Sequence, residues 1–277
     1  LSLIKARLIN DLAPNTGIFN MAADDLLSRE LNSSEYDAVI RIYRFDPPTV
    51  SLGRNQSIGE ISQTACNERG WDIVRRPTGG RTLLHLGDIC YSMIIPKRSD
   101  VFKDLRKLYE GVAAALSSTL VNNGIKASPI ESPMNIPFDR ELKNTRLCIS
   151  ARVRGEVHVE GRKITSASQR IYQDSILQHG SIFYNGDPTI VADIVSEELT
   201  NGGEFSVKLK DRVITMEEAS SELVLVVSFT NNFINELFHQ FDLTLIDQPF
   251  LPDELDKIDS TGNFFSLSAL KRKITAV

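Results

Sequence analysis

Apolar residues along the chain follow two rhythms, and each rhythm predicts a kind of element. Over 19–31 they fall at Ala22, Ala23, Leu26 and Leu27, the spacing of one helix face, before polar Asn32-Ser33-Ser34. Residues 39–45 alternate like a strand, which Asp46-Pro47-Pro48 closes. Short strands are predicted over 49–52 and 71–75, then from Leu83-Leu84 and over 89–95 to Pro96. The longest helical stripe runs over 101–123, with Leu105, Leu108, Val112, Leu116 and Leu120 on one face and Gly124 as a stop. Residues 155–159 and 163–168 read as a hairpin turning at Glu160-Gly161. Asp187-Pro188 opens a helix carrying Ile190, Val191, Ile194 and Val195, since proline suits a first helical position. Thr215-Met216-Glu217-Glu218 is a capping-box sequence ahead of a long helix to Phe238. The sum is an α+β fold: a mixed or antiparallel sheet with packed helices. With neither a linker nor a repeat, one domain over 1–277 is expected.

Composition narrows the function classes. No apolar run approaches the roughly 20 residues of a membrane span, so no membrane partner is expected. The start lacks a signal-peptide pattern, and with Leu1 in place of Met the natural start is expected upstream. Cys66, Cys90 and Cys148 are odd in number and scattered, which argues against a disulfide framework and for a reducing, cytoplasmic setting. Their spacing fits no zinc pattern, and no metal is expected.

The net charge of −5 is an average over unlike parts. Residues 140–170 hold 8 basic side chains against 3 acidic ones, a local +5, whereas 171–277 hold 7 against 17. Such a block invites an anionic partner. It is too short, and too poor in aromatic residues, for nucleic acid.

Three places carry candidate chemistry. Arg75-Arg76-Pro77-Thr78-Gly79-Gly80-Arg81 joins two strand-like segments. Its paired glycines let backbone approach a ligand and its arginines suit a carboxylate, phosphate or oxyanion, although no Walker ending follows. Cys148 lies inside the basic block, where positive charge favours thiolate. Lys163 follows the hairpin turn, with His85 and Gln178-His179-Gly180-Ser181 as further polar groups.

These pieces occur in an order that resembles a known family. Asn20-Met21-Ala22-Ala23-Asp24, Val50-Ser51-Leu52-Gly53-Arg54-Asn55-Gln56, the Arg75–Arg81 loop and Gly161-Arg162-Lys163-Ile164 are similar to the catalytic domain of biotin- and lipoate-protein ligases and octanoyltransferases. The likeness covers about 20–241 and leaves 242–277 as a C-terminal tail. Cys148, fifteen positions ahead of Lys163, and the Gln178–Ile182 stretch resemble the Cys-dependent octanoyltransferase branch.

The resemblance implies a thioester relay. Cys148 would take an octanoyl or similar acyl group from acyl carrier protein and pass it to a lysine of a lipoyl domain, such as a glycine-cleavage H-type protein. Lys163 would favour the thiolate. Arg75, Arg76, Thr78, Gly79, Gly80, Arg81, His85, Ser166 and His179 would line the substrate site, with the Gly79-Gly80 amides facing the acyl oxygen. No cofactor is implied, because a thioester is already activated. The basic block would dock an acidic carrier. Amidotransfer between lipoyl domains, ATP-dependent lipoate ligation and a non-catalytic binding module are the other readings. Three places depart from the family pattern: Leu86 replaces a usual acidic residue, Ser166 a usual glycine, and Ile149-Ser150-Ala151-Arg152 a usual aromatic-containing stretch.

One geometric demand follows from the hairpin. It sets Lys163 opposite His158, ten residues past Cys148, or ~33 Å of extended chain. The Cys148–Arg154 segment must therefore fold back.

Overall fold

The computed structural model describes residues 4–31, 34–97, 105–129, 147–150, 155–195 and 209–266. Strand β1 (Ile4–Asn15) leads into α1 (Gly17–Glu30), capped by Thr16 Oγ1, which accepts from the Phe19 amide. Strands β2 (Ala38–Phe45) and β3 (Thr49–Leu52), helix α2 (Gln63–Glu68) and strands β4 (Asp72–Arg75), β5 (Leu83–His85) and β6 (Ile89–Pro96) follow. Next come α3 (Leu105–Asn122), then β7 (Ala127–Pro129), β8 (Val157–Val159), β9 (Arg162–Lys163), β10 (Thr165–Ile171) and β11 (Ser175–Ile182). The described chain continues through α4 (Met216–Ala219), α5 (Val226–Phe241), β12 (Leu243–Asp247) and α6 (Pro252–Gly262).

The main sheet is mixed, as the sequence pattern predicts. Its order is β10-β11-β6-β2-β1-β12, antiparallel from β10 to β2 and parallel across β2, β1 and β12. Two three-stranded sheets, β4-β3-β5 and β7-β8-β9, flank it. Alternation along β2 sends Ile40 and Ile42 into a core with Leu116 and Leu120 of α3 and Phe229 and Phe233 of α5. Val39 turns the other way, onto Leu27 of α1 and Leu31 just past its end. Each fully buried side chain of this size contributes about 1.5–3 kcal/mol, so covering both faces is what holds the sheet.

Arg41 also points under α1, fully buried. It donates to the Asn20 side chain and pairs with Asp11 at 3.0 Å and Asp24 at 3.4 Å. A buried guanidinium needs such partners, and they tie α1 to the sheet.

Several elements differ from their sequence expectations. The 188–194 stretch is a 3₁₀ helix (Pro188–Ile194), and it packs Val191 and Ile194 against β3 and β5 residues. The helix after Thr215 stops at Ala219, where Ser220 Oγ accepts from the Glu222 amide, and it restarts as α5. A serine hydroxyl offering the backbone another acceptor is a known way to end a helix. Past Phe241, the expected tail forms β12, paired with β1, and α6, whose Ile258 packs on Ala22, Ala23 and Leu26 of α1. No helix among the described residues is long and apolar enough to cross a membrane.

Candidate active site

The hairpin turns at Glu160 and Gly161, with β8 and β9 pairing His158 with Lys163. Both turn residues have positive φ, 51° and 77°. Lys163 is clamped at its backbone: its amide donates to the Arg212 carbonyl and its own carbonyl accepts from Ile214. The side chain is 1% exposed and pairs through Nζ with Glu156 Oε1 at 2.7 Å.

Cys148 reaches this ammonium from another part of the chain. Leu147 bridges to Thr82, and the Cys148 amide donates to the Thr82 carbonyl, hanging the 147–150 turn beside the glycine loop. Lys163 Nζ then donates to the Cys148 carbonyl at 3.0 Å and lies 3.9 Å from Sγ. The fold-back that the hairpin demanded is thus present at its two ends; residues 151–154 lie outside the described set. Ser166, at the start of β10, places its hydroxyl 2.8 Å from the Cys148 sulfur.

Burial alone pulls the Lys163 ammonium toward neutrality. The adjacent Cys148 sulfur and then the Glu156 carboxylate outweigh it, and the pKa stands above that of an ordinary lysine. Glu156 is 2% exposed and was not among the sequence candidates. Strand alternation contains the signal, since Glu156 and His158 share a face and His158 opposes Lys163. The other thiols sit in a different environment. Burial pushes Cys66 up to about 11 and Cys90 well above a free thiol, so both favour the protonated form.

Cys148 opens onto a pocket with about 430 Å³ of unfilled space up to its mouth. Met21, Tyr43 and Leu83 give it apolar walls. Of the sequence candidates, Arg76, Gly80, His85, Cys148, Ser166 and His179 line it, and Lys163 reaches it at the sulfur.

Other candidates hold the loop in place. Arg75 donates to the carbonyls of Gly53, Arg54 and Gln56. Arg76 donates to the carbonyls of Ser51, Gly79 and Arg81 while fronting the pocket. Gly80 has φ 96°, and a Cβ there would lie 2.7 Å from the Arg76 guanidinium. A Cβ on Gly53 would stand 2.0 Å from the Gly80 carbonyl, so two glycines let the two loops touch. Gly79 is partly exposed at the loop's tip, and its carbonyl also accepts from Ser168.

Thr78 is fully buried and pairs through Oγ1 with His179 Nε2 at 2.7 Å, while His179 Nδ1 meets Asp24 Oδ2 at 3.0 Å. Burial lowers the His179 pKa, only partly opposed by Asp24, so the ring is neutral at pH 7. Nδ1–H therefore donates to Asp24 and Nε2 accepts from Thr78. A group depressed in the folded state gives stability that is present above its unfolded pKa, about 6.5, and lost as pH falls through the folded value. Replacing His179→Gln should cost about 1–3 kcal/mol near neutrality. The wild-type and variant melting curves should converge below about pH 6.5. A constant gap down to pH 5 would contradict the neutral assignment.

Of the basic block, the described members are engaged. Lys163 pairs with Glu156, Arg162 with Glu218, and Arg170 with Asp25 at 3.5 Å. Arg140, Lys143, Arg146, Arg152 and Arg154 lie outside the described residues. Leu86 packs against the apolar cluster that includes Val50, Leu83 and Val191, beside Gly186.

Residues 16–238 match the lipoyl protein ligase A/B catalytic domain. The chain belongs to that family. It is 30% identical over 240 residues to the octanoyltransferase LipM of Staphylococcus epidermidis, covering 82% of this chain and 83% of that protein. A solved lipoate-protein ligase A bound with ATP superposes with a TM-score of 0.74 at 18% identity, covering 94% and 95% of the two chains. A bipartite lipoate protein ligase from Thermoplasma acidophilum, studied with its E2 lipoyl domain, gives 0.73 at 18%, covering 94% and 92%. These two structures share the fold. The chain is an acyltransferase of the lipoylation type.

Proposed function

We propose that this family member moves an octanoyl or similar medium-chain acyl group from acyl carrier protein to a lysine of a lipoyl domain, through a thioester on Cys148. The observation that carries the reading is the Cys148 sulfur at a pocket with apolar walls, with the Lys163 ammonium 3.9 Å away. Relatives named octanoyltransferase, and a family neighbour studied with a lipoyl domain, support the substrate and acceptor classes.

In the first step the Cys148 thiolate attacks the donor's thioester carbon. The new C–S bond forms as the carrier's C–S bond breaks, and the leaving carrier thiolate takes up a proton. In the second step the acceptor lysine amine attacks the acyl-Cys148 carbonyl. A C–N bond forms, the Cys148 C–S bond breaks, and the amine proton is lost. Lys163 faces the negative charge on the sulfur before attack and as it leaves. The Ser166 hydroxyl donates to the same atom. Gly80, on the pocket wall, supplies backbone toward the acyl oxygen. The Thr78–His179–Asp24 chain keeps that loop in place.

Incubation with octanoyl-carrier protein, followed by intact-mass measurement, should show one acyl group on the chain, mapping to Cys148. An octanoylated lipoyl domain as the better donor would favour amidotransfer. Acylation only with free acid and ATP would instead favour a ligase. Ser166→Ala should slow acyl-Cys148 formation roughly 10- to 100-fold, the worth of one hydrogen bond to a charged atom. An unchanged single-turnover rate would remove Ser166 from the reaction.

A further inference from the structure

We infer that His85, Asp88 and Cys90, with Ser181, form a site for one zinc-like divalent cation behind the wall of the pocket. This reading is independent of the acyl transfer above. The four residues come from the end of β5, the turn after it, the start of β6, and β11, where Ser181 pairs with Cys90. All four are buried.

The ligand atoms converge. His85 Nδ1 lies 2.8 Å from Asp88 Oδ2 and 3.7 Å from Cys90 Sγ, and Sγ lies 3.4 Å from the same carboxylate oxygen. Ser181 Oγ adds a fourth corner, 3.2 Å from Sγ and 3.3 Å from Nδ1. A tetrahedral cation with bonds of about 2.0–2.3 Å separates its ligands by roughly 3.3–3.8 Å. Most of the edges already meet that range or approach it. The His85–Asp88 edge must open by about half an ångström.

A second observation points to a ligand. Asp88 is 2% exposed, and its Oδ1 is buried without a hydrogen-bond partner. A carboxylate oxygen in that position is costly unless something positive joins it. The outer shell is also in place. His85 Nε2 meets Ser51 Oγ at 2.9 Å, and Phe45 stacks on the ring at 4.0 Å, so Nδ1 is held toward the cluster. His85 and Ser181 face the pocket whereas Asp88 and Cys90 lie behind them, which gives a cation its way in.

Donor chemistry selects the cation. Sulfur, imidazole and one carboxylate suit zinc or cobalt, whereas magnesium and calcium prefer oxygen alone. Two anionic ligands would balance the dication. Because β5 belongs to the small sheet and β6 and β11 to the large one, the cation would tie the two sheets at the pocket. Its role is structural: Cys148 and Lys163 are not among its ligands.

The test uses the full chain carrying Cys148→Ser, which removes the pocket thiol. Titration with cobalt(II) should give one equivalent bound, with thiolate-to-cobalt charge-transfer absorption that zinc(II) abolishes. Zinc, but not magnesium, should raise Tm. Adding Cys90→Ala should erase the band and weaken zinc binding by more than ~100-fold, beyond the usual 10- to 100-fold cost of losing an outer-shell partner. Ser51→Ala, which removes the hydroxyl against His85 Nε2 and none of the ligands, should cost about 10-fold. Should Cys90→Ala fail to fold, Asp88→Asn keeps the volume and should weaken zinc by at least ~10-fold. No band in the parent overturns the site. So does an undiminished band in Cys90→Ala, or undiminished zinc affinity in Asp88→Asn.

Discussion

Replacing Cys148 with serine should abolish acyl transfer while leaving the fold intact. The side chain is only partly buried, and the turn that carries it is held through backbone, by its amide on the Thr82 carbonyl. That hold does not involve sulfur, so Tm should move by no more than a degree or two. Chemistry should respond differently. A serine hydroxyl beside Lys163 meets an ammonium, which cannot accept its proton, and Ser166 offers only another hydroxyl. Among the described residues, nothing in the immediate contacts of this atom serves as the base that a serine nucleophile requires. The expected loss in turnover is on the order of 10⁴-fold or more, the scale seen when a covalent nucleophile is removed. Intact-mass spectra of the variant with octanoyl-carrier protein should show no adduct. Near-wild-type transfer by Cys148→Ser would end the thioester relay.

Much of this arrangement was legible in the chain, and what was not has identifiable physical causes. Amphipathic helices such as α1 and α3, and strands that alternate apolar with polar or aromatic residues such as β2, announce themselves by period. Strand β11 did not, because its sequence Ser-Ile-Leu-Gln-His-Gly-Ser-Ile has no clean alternation. The Lys163–His158 pairing followed from the turn residues, and that same register already placed Glu156 on the lysine's face. The contact of Cys148 with Thr82 could not be read locally, since it joins segments with no patterned relation. Charge told a mixed story. The basic excess drew attention to 140–170, yet Lys163, Arg162 and Arg170 are each paired within the protein, so counting overstated the charge they offer a carrier. The zinc-like cluster escaped for a related reason. Cysteine spacing carries no trace of it, since its ligands come from one turn and a neighbouring strand.

The pair of Lys163 and Glu156 should separate stability from catalysis. Lys163→Met leaves the Glu156 carboxylate buried without its ammonium, which should cost about 3–5 kcal/mol of folding stability. It also removes the positive charge 3.9 Å from the reacting sulfur, which should lower turnover by about 10²- to 10³-fold. The double variant Lys163→Met, Glu156→Leu carries no buried charge at this position. A well-packed apolar replacement of a buried ion pair is often neutral or stabilising, so Tm should recover. Turnover should not. Recovery of both together would mean that Lys163 only holds the fold.

Glu156→Gln tests the carboxylate alone, as a positioning residue. It keeps the shape but removes one of the charges that hold the Lys163 pKa above the ordinary value against burial. With burial less opposed, the ammonium gives up its proton at lower pH. The alkaline limb of kcat should therefore move to lower pH in Glu156→Gln, with KM for the donor little changed. A uniform fall in kcat with the limb unmoved would mean that Glu156 shapes the hairpin without setting the charge on Lys163.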